Sequence, residues 1–325
     1  MEKVKCGVIT GFLGQTKDRF REYNQPATLE EKFAMVSEMK DVDGVEIVYP
    51  YEVSDAEKVK KLIADNGLKI AAINCNIKSE PEFVSGGITS ENKEIRQKAI
   101  RFVKEAKDFA KAVGADKVQC CPLGDGYEFS FQENYAKAWK NMADGFAEAG
   151  DYMPEIPLFL EYKPSEVRGA CFLDSAAKTL YMLEQIGNRN MGVTMDFGHS
   201  LYGGENPAEA LCLIAESKFP YYIHINDNNR KWDWDYIVAS HNFLAYAEFL
   251  YYLQEYGYDD YLTSDTSPQR LDIKKTFEAN ARWTNKLWNL VRGFDRAEFK
   301  KRMANSDYLD MWKYLEDEMF FRNEK

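Results

Sequence analysis

Four segments between residues 158 and 266 end in side chains suited to binding cations. Residues 158–164, Leu-Phe-Leu-Glu-Tyr-Lys-Pro, close on Glu161 and Lys163. Period-2 alternation sends both side chains to one side of a strand. Charges at the end of an apolar run are costly unless they are paired or used, so a satisfied ion pair under a loop is the structural alternative. The next three segments carry Asp196 and His199 (Asp-Phe-Gly-His), then His224, then Asp265. The chain has 3 histidines, His199, His224 and His241, and two of them fall in this set. Glu161, Asp196, His224 and Asp265 supply three carboxylates and an imidazole. That donor set suits Mn²⁺ first, and Mg²⁺ or Co²⁺ next, over a thiolate-seeking metal. Carboxylates this concentrated repel one another unless a cation joins them. Taken singly, each residue has an alternative hydrogen-bonded structural role.

A second group lies just beyond. Asp233 and Asp235 in Lys-Trp-Asp-Trp-Asp (231–235) reach a common point at i and i+2. With His199, and with Asp196 as a bridge, they form a candidate site for a second ion. The alternative is a solvated acidic loop with two packing tryptophans. Two adjacent ions would clamp neighbouring oxygens of a polyol. Softer pocket candidates are Asn74, Asn76, Gln119, the loop 124–129, Trp232 and Trp234, with turn-forming or packing roles as the alternatives.

The elements that must position these residues follow from an alternation of short apolar runs with helix-period segments. Strands are predicted at 5–10, 44–48, 69–75, 117–121, 157–162, 192–195, 221–225 and 261–264. Helices are predicted at 28–39 (Thr28 and Glu31 at capping-box spacing), 54–65 (Ser54 as cap), 90–113, 134–149 (closing at Gly150), 174–186, 207–217, 240–255 and 268–291. Eight strand–helix units imply a parallel sheet, and they close most naturally into a (β/α)8 TIM barrel. A doubly wound sheet is the rival, but Gly11-Phe-Leu-Gly14 is too weak for a phosphate turn. In such a barrel the strand carboxyl ends face the active site, and there the candidate ligands fall. Residues 1–293 are read as the catalytic barrel. Residues 294–325 are read as a helical extension whose apolar run at 310–315 and Met319-Phe320-Phe321 make a subunit contact or cap the barrel.

The chain has 325 residues, 45% of them hydrophobic, which is ample for one large core. A net charge of -11 without a basic stripe argues against nucleic acid and anionic membrane surfaces. Six cysteines without a CxxC read as free, mostly buried thiols in a reducing cytoplasm. No apolar run reaches transmembrane length, and the N-terminus lacks a signal-peptide core.

Glu161-Tyr-Lys163-Pro164 is similar to the Glu-x-Lys-Pro of the xylose isomerase-like barrel superfamily. Asp196-x-x-His199, His224, Asp233-x-Asp235 and Asp265 continue the likeness, which is nearest to metal-dependent aldose–ketose isomerases of the xylose and L-rhamnose isomerase type. The resemblance implies a structural metal on Glu161, Asp196, His224 and Asp265. It implies a catalytic one on Asp196, His199, Asp233 and Asp235, with Lys163 hydrogen-bonding the substrate carbonyl. It further implies a small sugar substrate, a 1,2-hydride shift and a homodimer or homotetramer. The related tagatose-type ketose 3-epimerases, which work through an enediol, are the alternative. They place Glu where this chain has Asp265, and they use a second Glu near the strand-5 end, a role Glu166 fits only loosely. A glycoside lyase subunit and a metal-dependent endonuclease are more distant readings. The His–Asp pair that assists ring opening in the xylose enzymes is missing, since 49–52 reads Tyr-Pro-Tyr-Glu. His241 or another group is left for that role.

Overall fold

All eight apolar runs form strands in the computed structural model, which describes residues 3–52 and 55–321. They are β1 (Cys6–Ile9), β2 (Gly44–Tyr49), β3 (Lys69–Cys75), β4 (Val118–Cys120), β5 (Leu158–Glu161), β6 (Met191–Asp196), β7 (Tyr221–Ile225) and β8 (Leu262–Ser264). They pair in the order β1-β8-β7-β6-β5-β4-β3-β2 and close into a barrel. Each barrel pairing is parallel. The closed order excludes the doubly wound alternative. Val8, Val45, Ile73, Val118, Leu158, Val193 and Ile223 are buried in the core, as strands covered on both faces require.

The surrounding helices are α1 (Leu29–Ser37), α2 (Ala56–Asn66), α3 (Lys93–Val113), α4 (Tyr135–Asp151), α5 (Ala176–Ile186), α6 (Phe197–Tyr202), α7 (Pro207–Glu216), α8 (Phe243–Glu255) and α9 (Ile273–Arg292). The capping box expected at the first helix is present: Thr28 accepts from Glu31 N, and Glu31 accepts from Thr28 N. Asp55 caps α2; Ser54, the residue expected there, lies outside the described residues. Several boundaries differ from expectation. α4 runs through Gly150 instead of stopping at it, and α3, α8 and α9 start later, at Lys93, Phe243 and Ile273. For α3 and α9 a capping side chain explains the shift. Asn92 and Asp272 satisfy first-turn amides, and the preceding residues stay outside the helix.

Three features were not expected. The short α6 follows β6 directly, capped by Asp196. Residues 16–17 pair with 22–23 as an antiparallel ribbon in the loop after β1. Residues 126–127 pair with 170–171, joining the loops after β4 and β5. Two-residue strands leave no periodicity to detect. Arg168 secures the second ribbon by donating to Glu128 (2.6 Å) and to the Gly124 carbonyl (2.9 Å).

The C-terminal segment forms α10 (Arg296–Ala304) and α11 (Tyr308–Leu315), followed by a single π turn at Glu316–Phe320. Its inner side packs on the barrel, with Phe299 4.7 Å from the Tyr251 ring and 5.3 Å from that of Phe294. Its outer side leaves Tyr308 65% and Leu309 78% exposed.

Gly192 on β6 shows how little room the barrel leaves. A Cβ there would lie 2.3 Å from the Pro220 carbonyl oxygen and 2.7 Å from the Phe159 ring. Gly192→Ala is therefore expected to destabilise the fold by about 2 kcal/mol or more, as overpacking does. The check is urea unfolding, read as a lowered midpoint at unchanged slope.

Candidate metal centre

The strand order brings the candidate ligands to one mouth of the barrel. Glu161 is the last residue of β5 and Asp196 the last of β6. His224 pairs with Asp196 across β6–β7, and Asp265 follows β8. One ligand atom from each of Glu161, Asp196, His224 and Asp265 lies within 4.8 Å of all the others. Glu161, Asp196 and His224 are buried, while Asp265 is partly open. His224 Nδ1 lies 3.3 Å from Glu161 Oε1 and 3.6 Å from Asp265 Oδ2.

The second group adjoins the first. Asp196 caps α6 by accepting from the His199 amide at 2.9 Å, which puts both side chains on one turn. His199 Nδ1 is 3.3 Å from Glu161 Oε1, and Nε2 is 3.1 Å from Asp233 Oδ2. Asn226 Nδ2 donates to both oxygens of Asp196 (3.2 and 3.0 Å) and to Asp235 Oδ1 (3.4 Å). Asn226 meets α6 where only glycine fits, since a Cβ on Gly198 would be 1.9 Å from Asn226 Oδ1. Asp227 holds the loop after β7, accepting from the amides of His241 (2.7 Å) and Asn242 (3.0 Å).

Lys163 turns away from Glu161. The satisfied pair with Glu161, raised as the structural alternative, is not how it is used. Its Nζ bridges Asp233 Oδ2 and Glu166 Oε2, each at 2.9 Å. Beyond Glu161 the chain leaves the strand, so period-2 alternation no longer sets the Lys163 direction.

Electrostatics describe a centre short of positive charge. Burial pushes Asp196 up to about 6, with His199 opposing and Asp265, Asp233 and Glu161 adding to the rise. Burial and then Asp233 push Asp235 well above the carboxylate range. Burial disfavours charge on His199, but Asp196 and Asp233 outweigh it and raise the imidazole to about 9. Burial likewise opposes charge on Lys163, yet Asp233, Asp235 and Glu166 keep the ammonium protonated. His199 Nδ1 and Asn226 Oδ1 are buried without a hydrogen-bond partner. Three close carboxylates and two imidazoles have the composition and spacing to take a hard divalent cation.

The softer candidates divide. Asn76 Oδ1 accepts from the amides of Lys78 and Ser79, the turn-forming role. Asn74 Nδ2 and Gln119 Nε2 each donate one hydrogen bond to Glu46, at 2.8 and 3.1 Å. Trp232 and Trp234 are 41% and 43% exposed at the rim. The His241 ring stacks 5.1 Å from Tyr236. Glu46 itself is fully buried on β2 and its Oε2 accepts from His224 Nε2 at 2.9 Å, yet it was not singled out from the sequence. The signal available was a lone carboxylate inside the apolar run Gly-Val-Glu-Ile-Val.

A model of the xylose isomerase-like TIM barrel family matches residues 33–287, and the chain belongs to that family. It is 24% identical over 295 residues to the xylose isomerase of Thermus thermophilus, covering 86% of this chain and 75% of that enzyme. It is 24% identical over 249 residues to the xylose isomerase of Thermus caldophilus, covering 74% of this chain and 63% of that one. Among solved structures, an L-ribulose 3-epimerase superposes with a TM-score of 0.70 at 19% identity, covering 93% of this chain and 98% of the other. A D-tagatose 3-epimerase-like protein superposes at 0.67 with 19% identity, covering 88% and 98%. At these identities the superpositions speak for the fold.

Replacing Asp235 by Asn removes one carboxylate from the crowd at constant size. In chelator-treated protein, Asp235→Asn is expected to raise the thermal midpoint by a few degrees, about 1 kcal/mol. Scanning calorimetry with and without chelator checks this.

Proposed function

We propose that the chain is a divalent-metal-dependent sugar isomerase that interconverts an aldose and a ketose. One observation carries this reading: the Lys163 ammonium is held beside the four-ligand cluster by Asp233 and Glu166. Glu161, Asp196, His224 and Asp265 would hold one cation, and Asp196, His199, Asp233 and Asp235 a second. Such ions, Mn²⁺ foremost, would supply Lewis acidity to the bound sugar. The resemblance to xylose isomerases supports the assignment.

The chain's own residues do the rest. Lys163 donates a hydrogen bond to the carbonyl oxygen O1 and opposes the charge that grows on it. The C2–H bond breaks with its electron pair moving to C1. O2 becomes the carbonyl and O1 the hydroxyl, the proton lost at O2 being made good at O1, so that the step is proton- and redox-neutral overall. Lys163 is already protonated and already surrounded by acceptors, so it serves as a donor and leaves the role of base to other groups.

The second reading is a ketose 3-epimerase working through an enediol. Glu166 favours it, because its carboxylate stands 2.9 Å from Lys163 at the barrel mouth, where a base could reach a carbon acid. Two further features accompany the assignment. The free cysteines, nearly all buried, suit a reducing cytoplasm, and no helix among the described residues is long and apolar enough to cross a membrane. The exposed Tyr308 and Leu309 suit a contact between copies in a homodimer or homotetramer.

The test is a panel of tetroses, pentoses, deoxyhexoses and branched sugars with Mn²⁺, Mg²⁺ or Co²⁺. Lys163→Met is expected to keep metal affinity and lose about 10²–10³ in kcat, the cost of one oxyanion donor; unchanged turnover would sink its role. In deuterated water the isomerase is expected to retain protium at the transferred position. Solvent deuterium at that carbon would favour the epimerase chemistry.

A further inference from the structure

We propose that Glu46 is a positioning residue for His224, fixing which ring nitrogen faces the ligand cluster. The inference rests on the metal-site reading above and extends it to a residue that contacts none of the other candidate ligands' donor atoms in a metal-holding role.

Glu46 has no solvent exposure. A buried carboxylate costs several kcal/mol unless donors surround it. Four donors converge here from three strands. Oε1 accepts from Asn74 Nδ2 on β3 (2.8 Å) and Gln119 Nε2 on β4 (3.1 Å). Oε2 accepts from the Tyr222 hydroxyl (2.9 Å) and His224 Nε2 (2.9 Å), both on β7. The register between β2 and β3 shifts between Val45 and Glu46, an irregularity of the kind that re-aims a side chain. Three donors that are not the imidazole therefore hold the carboxylate in one orientation.

That orientation decides the imidazole. A carboxylate accepts only, so His224 Nε2 must carry a hydrogen. Nδ1 is then the nitrogen turned to Glu161 Oε1 and Asp265 Oδ2. Rotating the ring by a half-turn would move Nε2–H away from Glu46 and leave its oxygen short of a donor inside the barrel. A carboxylate behind a ligating histidine fixes both ring orientation and tautomer in metal sites generally. Here the supporting carboxylate comes from β2, on the far side of the barrel from β7 in chain order, and so ties the ligand to the barrel's interior rather than to a loop.

The experiment uses the full chain with ¹⁵N-labelled histidine. The chain has only 3 histidines, which makes assignment by a His224→Gln variant direct. Wild-type, metal-free protein is expected to show a slowly exchanging Nε2–H of His224. Glu46→Gln, and Glu46→Asp, which keeps the charge but withdraws the oxygen, are both expected to shift or lose that resonance. Both are also expected to weaken Mn²⁺ binding, counted as free ion by EPR, by about 10–100-fold. A folded variant with an unchanged resonance and wild-type affinity overturns the proposal, and so does a variant that only lowers thermal stability. Should both variants fail to fold, Asn74→Ala removes one donor from the same carboxylate; an unmoved His224 resonance there overturns it as well. If wild type binds no Mn²⁺, the metal reading fails and the resonance alone judges the orientation.

Discussion

Like charge held at close range is the constraint on which the rest of this molecule depends. Donor atoms of three carboxylates and one imidazole lie within 4.8 Å of one another at a single barrel mouth. Two unit charges about 4 Å apart interact by ~4 kcal/mol at an effective dielectric near 20. A chain free to relax would separate these carboxylates. It cannot, because each sits at or just after the end of a parallel strand whose register is locked on both sides. The barrel supplies the rigidity, and the imidazoles of His199 and His224 and the ammonium of Lys163 supply a partial counter-charge.

Beneath the mouth lies a second polar layer, set inside the barrel rather than over it. Glu46, Asn74, Gln119, Tyr222 and Thr263 are linked by hydrogen bonds across the interior. Cores usually exclude such groups, and a half-satisfied set would cost more than an apolar one. This set is saturated at Glu46 and ends on His224, so the interior and the mouth share one network. Below it the layer turns apolar again, with Phe159 and Tyr222 edge to face at 6.4 Å.

The loops, in contrast, settle the chemistry. Lys163 lies past the end of β5, and its partners Asp233 and Glu166 come from two different loops. The ribbon joining 126–127 to 170–171 stiffens the loop that carries Glu166. Loops carry the variable part of a barrel's chemistry, and Lys163, Glu166 and Asp233 all lie on them. Family membership accordingly speaks for barrel and ligand positions more than for the reaction.

Local physics made the alternation of strands and helices, several helix caps and the strand-end positions of the candidate ligands legible in advance. Apolar runs of strand length, Thr28 with Glu31, and Glu161, Asp196, His224 and Asp265 all carry their signal within a few neighbouring residues. What needed the tertiary structure was which partner each polar side chain meets across the barrel. Glu46 reads as an oddity in an apolar strand until barrel closure places it 2.9 Å from His224, which is 178 positions away. Nothing local to Lys163 announces Asp233 as its partner until the loop after β7 folds back and brings that carboxylate to it. The reason is physical: period and propensity act along the chain, whereas electrostatic pairing in a buried site depends on distances that only closure of the barrel sets.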